Sequence, residues 1–192
     1  MAREGASAII DQDGHNRIIT LIQEGRHPER NMAIYMLGMR AGLRVGTVAQ
    51  LKLSDILNSD GSLKDRVVAR SEIMKGGKNS VLYFNHPELR QALENYLKVR
   101  PNLAKVDSVF VTQKGTAFSP NTLSKSMLDL FKKAGLEDVS FHGTRKTFAT
   151  NVLKSGADIV ALKTLLNHSD IGTTQRYVVH NESYLASVVG GI

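Results

Sequence analysis

The sequence predicts a single mainly α (α+β) domain, in which helices surround a small antiparallel β-hairpin insertion. Three observations carry this prediction. Apolar residues recur at helical spacing through most of the 192 residues, and two strand-like runs flank a pair of glycines near the middle. No internal repeat, low-complexity tract or long linker divides the chain. We therefore expect residues 1–192 to form one domain.

The first third of the chain has the pattern of three helices. Asn16–Glu24 is a short amphipathic stretch rich in isoleucine and leucine. Pro28 can begin a second helix that runs to about Ala41, where Gly42 is a suitable terminator. Val45–Leu51 is predicted to be a third, shorter helix.

The pattern then changes to that of a hairpin. Arg66–Met74 and Ser80–Phe84 are rich in residues that favour strands, and Gly76–Gly77 between them predicts a tight reversal. Lys75 and Lys78 would lie at the tip of this hairpin.

Helices are expected again after the hairpin. Pro87 opens one that runs to about Arg100, and Ser108–Thr112 is predicted to be a short strand. Another helix should start after Pro120, with Asn121 and Thr122 as capping candidates. Further helices are expected at about Thr144–Ser155, Asp158–Leu166 and Ile171–Val178, and the tail Asn181–Ile192 can form a last short one.

The composition favours a nucleic-acid partner only slightly. The net charge is +7 and the pI about 9.7, and residues 61–135 hold thirteen Lys/Arg against six Asp/Glu. Such a surface can neutralise phosphates, although a solvated lysine-rich face gives the same count. The absence of cysteine excludes disulfides and thiolate metal sites. With no signal peptide or apolar span visible, we expect a cytoplasmic protein that makes no membrane contact.

Phe141–Tyr177 is the segment that indicates chemistry. It contains His142 three residues before Arg145, then His168 and Tyr177. A phenol can attack a phosphodiester, an arginine can hold its oxygens, and imidazoles can move protons. Each residue alone is more often a capping, packing or surface residue, but the four together at short spacing favour a reactive site.

Two residues outside this segment are further candidates. Arg44 lies at the junction of two predicted helices, and with Arg145 it could bind the charge that develops on phosphate oxygens. Lys75, at the hairpin tip, could donate a proton to a departing 5′-oxygen, and it is better placed than Lys78 because it ends a predicted strand. A solvated turn would explain both lysines equally well.

Neither a metal site nor a nucleotide site is predicted. His142 and His168 could be ligands together with Asp138 or Asp170, but no HExxH motif or carboxylate cluster accompanies them. The glycine-rich hairpin tip lacks the serine or threonine and the helix of a phosphate loop. We expect no cofactor.

The motifs resemble those of the tyrosine recombinase (phage integrase) family, over about Asn16–Leu185. The stretches that carry the resemblance are AGLRVGTVAQLKLSDI, MKGGKNSVLYF and FHGTRKTFATNVLKSGADIVALKTLLNHSDIGTTQRYV. The resemblance implies that Tyr177 forms a 3′-phosphotyrosine bond and that Arg44, Arg145 and His168 bind the phosphate. It also implies that Lys75 is the general acid and that His142 assists proton transfer at the tyrosine.

The chain departs from the family pattern at several positions. Thr47 stands where an acidic residue is usual, which bears on how neighbouring groups are oriented. Thr144 and Lys146 replace a common leucine and histidine, and Asn167 replaces a glycine. The N-terminal core-binding domain of the family is apparently absent, since only about fifteen residues precede the first predicted helix. We therefore expect weak DNA binding with a log–log salt slope of roughly −0.9 per phosphate neutralised.

The leading hypothesis is a site-specific DNA recombinase or integrase. A type IB topoisomerase-like enzyme, a non-catalytic DNA-binding module and an ordinary basic protein are the alternatives. For a recombinase the resemblance implies double-stranded DNA as the partner and a homotetramer on paired DNA sites, with Asn181–Ile192 as a candidate for the subunit contact. It also implies association with the nucleoid.

Overall fold

The structure is a computed structural model, and it describes residues 7–74, 77, 79–103 and 106–167. Within these residues the chain is mainly helical and carries one two-stranded antiparallel sheet. The α-helices are α1 (Gln12–Glu24), α2 (Pro28–Ala41), α3 (Val45–Gln50), α4 (Leu53–Ile56), α5 (Pro87–Val99), α6 (Pro120–Lys133), α7 (Phe141–Lys154) and α8 (Ile159–Leu165), and the strands are β1 (Arg66–Ala69) and β2 (Ser80–Tyr83). The predicted fold class is confirmed.

Helix α2 lies at the centre of the domain. Residues 33–39 are all buried, which is the burial pattern of a helix covered on every side. It packs chiefly against α5 and α7, with α1 and α3 beside it. The predicted bounds of α2 are confirmed, because Pro28 is its first residue and Gly42 caps its end with a φ of 62°.

Three helices have a start or a cap residue other than the one predicted. Helix α1 starts four residues before the predicted Asn16, because Asp11 accepts a hydrogen bond from the Gly14 amide at 2.8 Å. Helix α6 is capped by Ser119 rather than by the proposed Asn121 or Thr122. Helix α7 starts at Phe141 and not at Thr144, because Ser140 is its cap. The cap of α8 at Asp158 was predicted and is confirmed.

The hairpin is shorter than predicted. Strands β1 and β2 pair in an antiparallel register that runs from Arg66 opposite Tyr83 to Ala69 opposite Ser80. After Ala69 the chain leaves the sheet and forms a 3₁₀ turn over Ser71–Ile73. The predicted first strand, Arg66–Met74, is therefore wrong in its second half. Gly77 has a left-handed φ of 64°, as a tight reversal requires.

The strand predicted at Ser108–Thr112 is also wrong. Ser108 and Val111 make only isolated bridges, to Lys52 and Ala117. Side chains of α5 and of its C-terminal cap donate hydrogen bonds to carbonyl groups of this segment. Arg100 donates to the carbonyls of Val106, Ser108 and Val109, and the Tyr96 hydroxyl also donates to Val109. Side-chain donors thus hold this segment together with a short backbone contact, in which the Val109 amide donates to the Leu51 carbonyl at 2.8 Å.

Several predicted features lie outside the described residues. They are the Gly76 half of the hairpin reversal, the helix at Ile171–Val178 and the tail Asn181–Ile192. Among the helices that are described, none is both long and apolar enough to cross a membrane.

The contact between α2 and α7 depends on Gly38. A Cβ atom at this position would lie 2.1 Å from the Thr144 Oγ1 and 3.0 Å from the Phe141 ring. We expect Gly38→Ala to lower the free energy of unfolding by about 1–3 kcal/mol, because the two helices must move apart. Urea denaturation measures this change. Gly46→Ala is the matched control, since a Cβ at Gly46 in α3 would meet nothing within 4 Å. It should be neutral or stabilise by about 0.5–1 kcal/mol, and equal effects of the two substitutions would contradict the packing argument.

A buried histidine should make stability depend on pH. The His15 Nδ1 and the Tyr35 hydroxyl are hydrogen-bonded at 2.8 Å. Burial, and secondarily the charge of Arg40, lower the pKa of His15, while Glu88 opposes the shift. The unfolded chain therefore binds the His15 proton more readily than the folded chain does. Stability should be constant above the unfolded pKa of about 6.5 and should fall as the pH drops below it.

His15→Asn tests this pH dependence, because asparagine keeps a polar group near the Nδ1 position and does not titrate. Urea unfolding between pH 8 and pH 5 should give a smaller slope for the variant than for the natural chain. The slope should not vanish, because burial also lowers the pKa of His27 and His86. An unchanged slope would show that His15 does not contribute to it.

Candidate active site

Arg145 lies in the second turn of α7 and is only 3% exposed. Its guanidinium donates through Nη1 to the carbonyl of Gly42 and through Nη2 to the carbonyl of Leu166. These two residues are the C-terminal caps of α2 and α8. Carbonyls at helix ends have no partner within the helix and carry the negative end of its dipole. We call this set of contacts the arginine clasp.

The clasp brings together the segments that carry four of the predicted site residues. Gly42 precedes Arg44 by two residues, and Leu166 precedes His168 by two. Arg44 is half-buried and is the cap residue at the start of α3. The structure therefore holds Arg145 between the residues that precede Arg44 and the end of α8.

His142 lies in the first turn of α7, three residues before Arg145. Residues at this spacing share a helix face. The His142 side chain is half-buried, and its backbone amide donates to the Ser140 Oγ at 3.3 Å. Three of the predicted site residues, Lys75, His168 and Tyr177, lie outside the described residues. Their place in the site thus remains a prediction from the sequence.

Residues 7–10, which we call the N-terminal strap, cross the start of α7. No pattern in the sequence predicted this contact. Gly143 permits it, because a Cβ there would lie 2.6 Å from the Ala8 carbonyl oxygen. The strap is held by bonds from Ser140 N–H to Ser7 Oγ (2.9 Å), Lys146 Nζ to the Ser7 carbonyl (2.8 Å), Ala8 N–H to the Asp138 carbonyl (3.0 Å) and Ile10 N–H to Thr147 Oγ1 (2.9 Å).

The strap and the cap residue occupy amides at the start of α7. The start of a helix otherwise favours an anion, because free amides and the positive end of the helix dipole meet there. The amides of Ser140 and His142 already donate to the Ser7 and Ser140 hydroxyls, and the Gly143 amide donates to the Ser140 carbonyl. These three amides are therefore already bonded within the domain, which favours side chains as the groups that bind an anion.

The segment before Lys75 is fastened to α3 and α4. The Thr47 hydroxyl, in α3, donates to the Ile73 carbonyl at 3.1 Å and is buried. Arg70 binds the Asp55 carboxylate at 2.9 and 3.1 Å and also donates to the Gln50 carbonyl at 3.1 Å. A bidentate arginine–carboxylate pair fixes geometry as well as charge. The segment between β1 and Lys75 is thus attached to the same helices that follow Arg44.

The basic side chains of residues 61–135 fall into two groups, those bonded within the domain and those exposed to solvent. Lys64, Arg70, Arg90 and Arg100 bind carboxylates or backbone carbonyls of the domain itself. The exposed basic residues of this stretch, within the part of the chain that is described, are Arg66, Lys98, Lys114, Lys125, Lys132 and Lys133. The charge count therefore overstated the number of cations available to a nucleic acid. Over the same described residues, no group of three or more His, Asp or Glu side chains could hold a metal ion.

A mainly helical domain with a small two-stranded antiparallel sheet is the fold of tyrosine recombinase catalytic domains. The model of the phage integrase family matches residues 8–183. This chain therefore belongs to the phage integrase family.

Its relatives are tyrosine recombinases. The chain is 32% identical over 173 residues to tyrosine recombinase XerC of Lactobacillus leichmannii, with 86% of this chain and 56% of that protein covered. It is 34% identical over 161 residues to XerC of Rhodospirillum centenum, covering 83% and 45% of the two chains. For XerD of Rickettsia bellii the identity is 33% over 156 residues, covering 77% and 50%. The chain thus spans about half the length of these relatives.

Solved structures agree with this fold. The XerA recombinase superposes with a TM-score of 0.78 at 31% identity, covering 96% of this chain and 64% of that one. XerH bound to its difH substrate superposes with a TM-score of 0.74 at 21% identity, covering 96% and 54%. The second likeness is one of fold alone.

The clasp should be sensitive to the shape of its cation. Lysine keeps the charge of Arg145 but has no planar fork with which to reach two carbonyls. Since hydrogen bonds to charged groups contribute about 1.5–3 kcal/mol, we expect Arg145→Lys to lower the free energy of unfolding by that amount. It should also speed amide hydrogen exchange in α8.

Arg66→Lys is the control, because Arg66 is exposed on β1. This substitution should leave both measurements unchanged. If Arg145→Lys were as stable as the natural chain and its α8 amides were as well protected, the clasp would have no part in joining these helices.

Proposed function

We propose that residues 1–192 form the catalytic domain of a site-specific DNA recombinase. The domain would break and rejoin DNA through a 3′-phosphotyrosine intermediate at Tyr177. The arginine clasp is the observation that carries this proposal, because Arg145 donates to the carbonyls of Gly42 and Leu166, which precede Arg44 and His168 by two residues each. Membership of the phage integrase family supports the same reaction.

The two arginines would hold the scissile phosphate. Arg44 and Arg145 would donate to its non-bridging oxygens, where negative charge grows as the tyrosine attacks. Arg145 is nearly buried and would form the floor of the site. Its bonds to carbonyl oxygens fix the plane of the guanidinium before DNA arrives, and such preorganisation makes a donor effective in a transition state. His168 would add a further hydrogen bond to the phosphate.

Proton transfer would fall to Lys75 and His142. The Tyr177 oxygen would form a bond to phosphorus while the bond to the 5′-oxygen breaks. His142 would assist removal of the phenolic proton, and Lys75 would donate a proton to the departing 5′-oxygen. Attack by a 5′-hydroxyl reverses these steps and joins a new strand. Because the phosphotyrosine retains the energy of the broken bond, no nucleotide or metal cofactor is needed.

The partner in this proposal is double-stranded DNA. XerH in its solved complex is bound to the difH substrate, and the exposed lysines described above suit a phosphate backbone. We further propose that the protein acts as a homotetramer on paired DNA sites, with Asn181–Ile192 contacting a neighbouring subunit. Its place would be the nucleoid in the cytoplasm. The relatives are recombinases, which does not favour the type IB topoisomerase alternative.

A covalent-trapping experiment tests the reaction. The protein would be incubated with a pool of nicked duplexes, in which the cleaved end diffuses away and prevents religation. A denaturing gel should show DNA that migrates with the protein, and Tyr177→Phe should abolish this band because it removes the nucleophile. Tyr83→Phe is the control, since Tyr83 is 45% exposed on β2 and has no role in the reaction.

Two results would contradict the proposal. A covalent band that persists in Tyr177→Phe would assign the nucleophile to another residue. Salt-sensitive DNA binding without any covalent band in the natural chain would favour the non-catalytic DNA-binding module. Sequencing the trapped duplexes would begin to define the target site.

A further inference from the structure

We propose that Thr47 is a positioning residue that sets the place of the general acid Lys75 relative to Arg44. The inference rests on the function proposed above and extends it to a residue that touches neither the DNA nor the reacting atoms. Thr47 is the third residue of α3 and follows Arg44 by three positions. Helix α3 therefore carries Thr47 close to its start, one turn from the arginine.

The hydroxyl of Thr47 makes a contact between elements. A threonine inside a helix usually donates to a carbonyl of the preceding turn of its own helix. Thr47 donates instead to the carbonyl of Ile73, at 3.1 Å and 26 residues further along the chain. Ile73 ends the 3₁₀ turn after β1 and precedes Lys75 by two residues. The bond thus joins the helix that begins beside Arg44 to the backbone that leads into Lys75.

The hydrogen bond from Thr47 to Ile73 is shielded from solvent. Thr47 is 4% exposed, and Ile73 and Met74 are buried too. Water competes poorly for a buried carbonyl, so the Ile73 oxygen depends on its protein donor. The other end of the turn is held by Arg70 through its bidentate pair with Asp55. Residues 70–73 are consequently anchored at both ends, and the second anchor lies two residues before Lys75.

The chemistry explains why such an anchor matters. A general acid acts only within hydrogen-bond reach of the leaving oxygen, and a misplacement of about 1 Å can cost on the order of 100-fold in rate. Lys75 has a long flexible side chain, so its reach depends on where its backbone is fixed. The bond from Thr47 fixes the backbone of Ile73, two residues before Lys75, with respect to α3, and Arg44 at the start of α3 would hold the phosphate.

Because the Ile73 carbonyl is an acceptor, only a residue with a hydrogen-bond donor at position 47 can bind it. A hydroxyl can donate to the Ile73 carbonyl, whereas a carboxylate can only accept and would face another acceptor. An aspartate or glutamate, usual at this position in the family, therefore cannot replace the threonine here. Thr47→Ser should keep the bond, and Thr47→Val should remove it with little change of shape.

A pair of substrates separates misplacement of the acid from other damage. The first is the nicked duplex trapped in the experiment above. The second is the same duplex with sulfur in place of the bridging 5′-oxygen of the scissile phosphate. A thiolate leaves without being protonated, so cleavage of the sulfur substrate does not need the general acid. Rates of covalent-complex formation would be measured on both substrates for each variant.

We expect Thr47→Val and Thr47→Asp to slow cleavage of the oxygen substrate by about 10- to 100-fold. Both should cleave the sulfur substrate at close to the natural rate, and Thr47→Ser should resemble the natural chain on both substrates. Lys75→Ala is the reference for a lost acid and should show the same selective rescue by sulfur. Arg44→Ala is the reference for lost phosphate binding and should be slow on both substrates.

Three outcomes would overturn the inference in distinguishable ways. Equal slowing of Thr47→Val on both substrates would show a general structural role. Natural rates of Thr47→Val on both substrates would show that the bond does not position Lys75. In these two cases the proposed recombinase reaction would stand. A natural chain that cleaves neither substrate would overturn the proposed function, and this inference with it.

Discussion

The arrangement of this site depends on one buried cation, the guanidinium of Arg145. Burying a charge is costly unless it is bonded on several sides. Here the partners are the C-terminal carbonyls of α2 and α8, which lack helical partners and lie at the negative ends of two dipoles. The guanidinium supplies hydrogen-bond donors to these carbonyls, and the carbonyls stabilise its charge. The same interaction thus joins the helices and fixes the position of Arg145.

Arg44 is located by this interaction on one side and by Thr47 on the other. The clasp binds the carbonyl of Gly42, two residues before Arg44. Thr47, three residues after Arg44, donates to the carbonyl of Ile73. The turn between α2 and α3 is therefore fixed at both ends to separate parts of the domain. An arginine side chain is long and flexible, so a fixed backbone limits what it can sample. The same two contacts link the α7 half of the site to the hairpin half.

Features that depend on neighbouring residues could be predicted from the sequence, whereas features that depend on contacts across the fold could not. The bounds of α2 follow from Pro28 and Gly42, and the proximity of His142 and Arg145 follows from helical spacing. The early starts of α1 and α7 were missed because their caps, Asp11 and Ser140, stand before the apolar pattern begins. The strand expected at Ser108–Thr112 is reduced to isolated bridges, and the Arg100 side chain donates to the carbonyls of Ser108 and Val109. No local pattern reports a contact of that kind.

The contacts that organise the site share a property that hides them from sequence reading. Arg145, Thr47 and Lys146 each donate to a main-chain carbonyl, and the acceptors belong to Gly42, Leu166, Ile73 and Ser7. A carbonyl is present whatever the side chain of its residue is. The donor must therefore be a particular residue type, whereas the acceptor position is constrained only by the path of the backbone. Motifs record the donors, and only the fold shows where they bind.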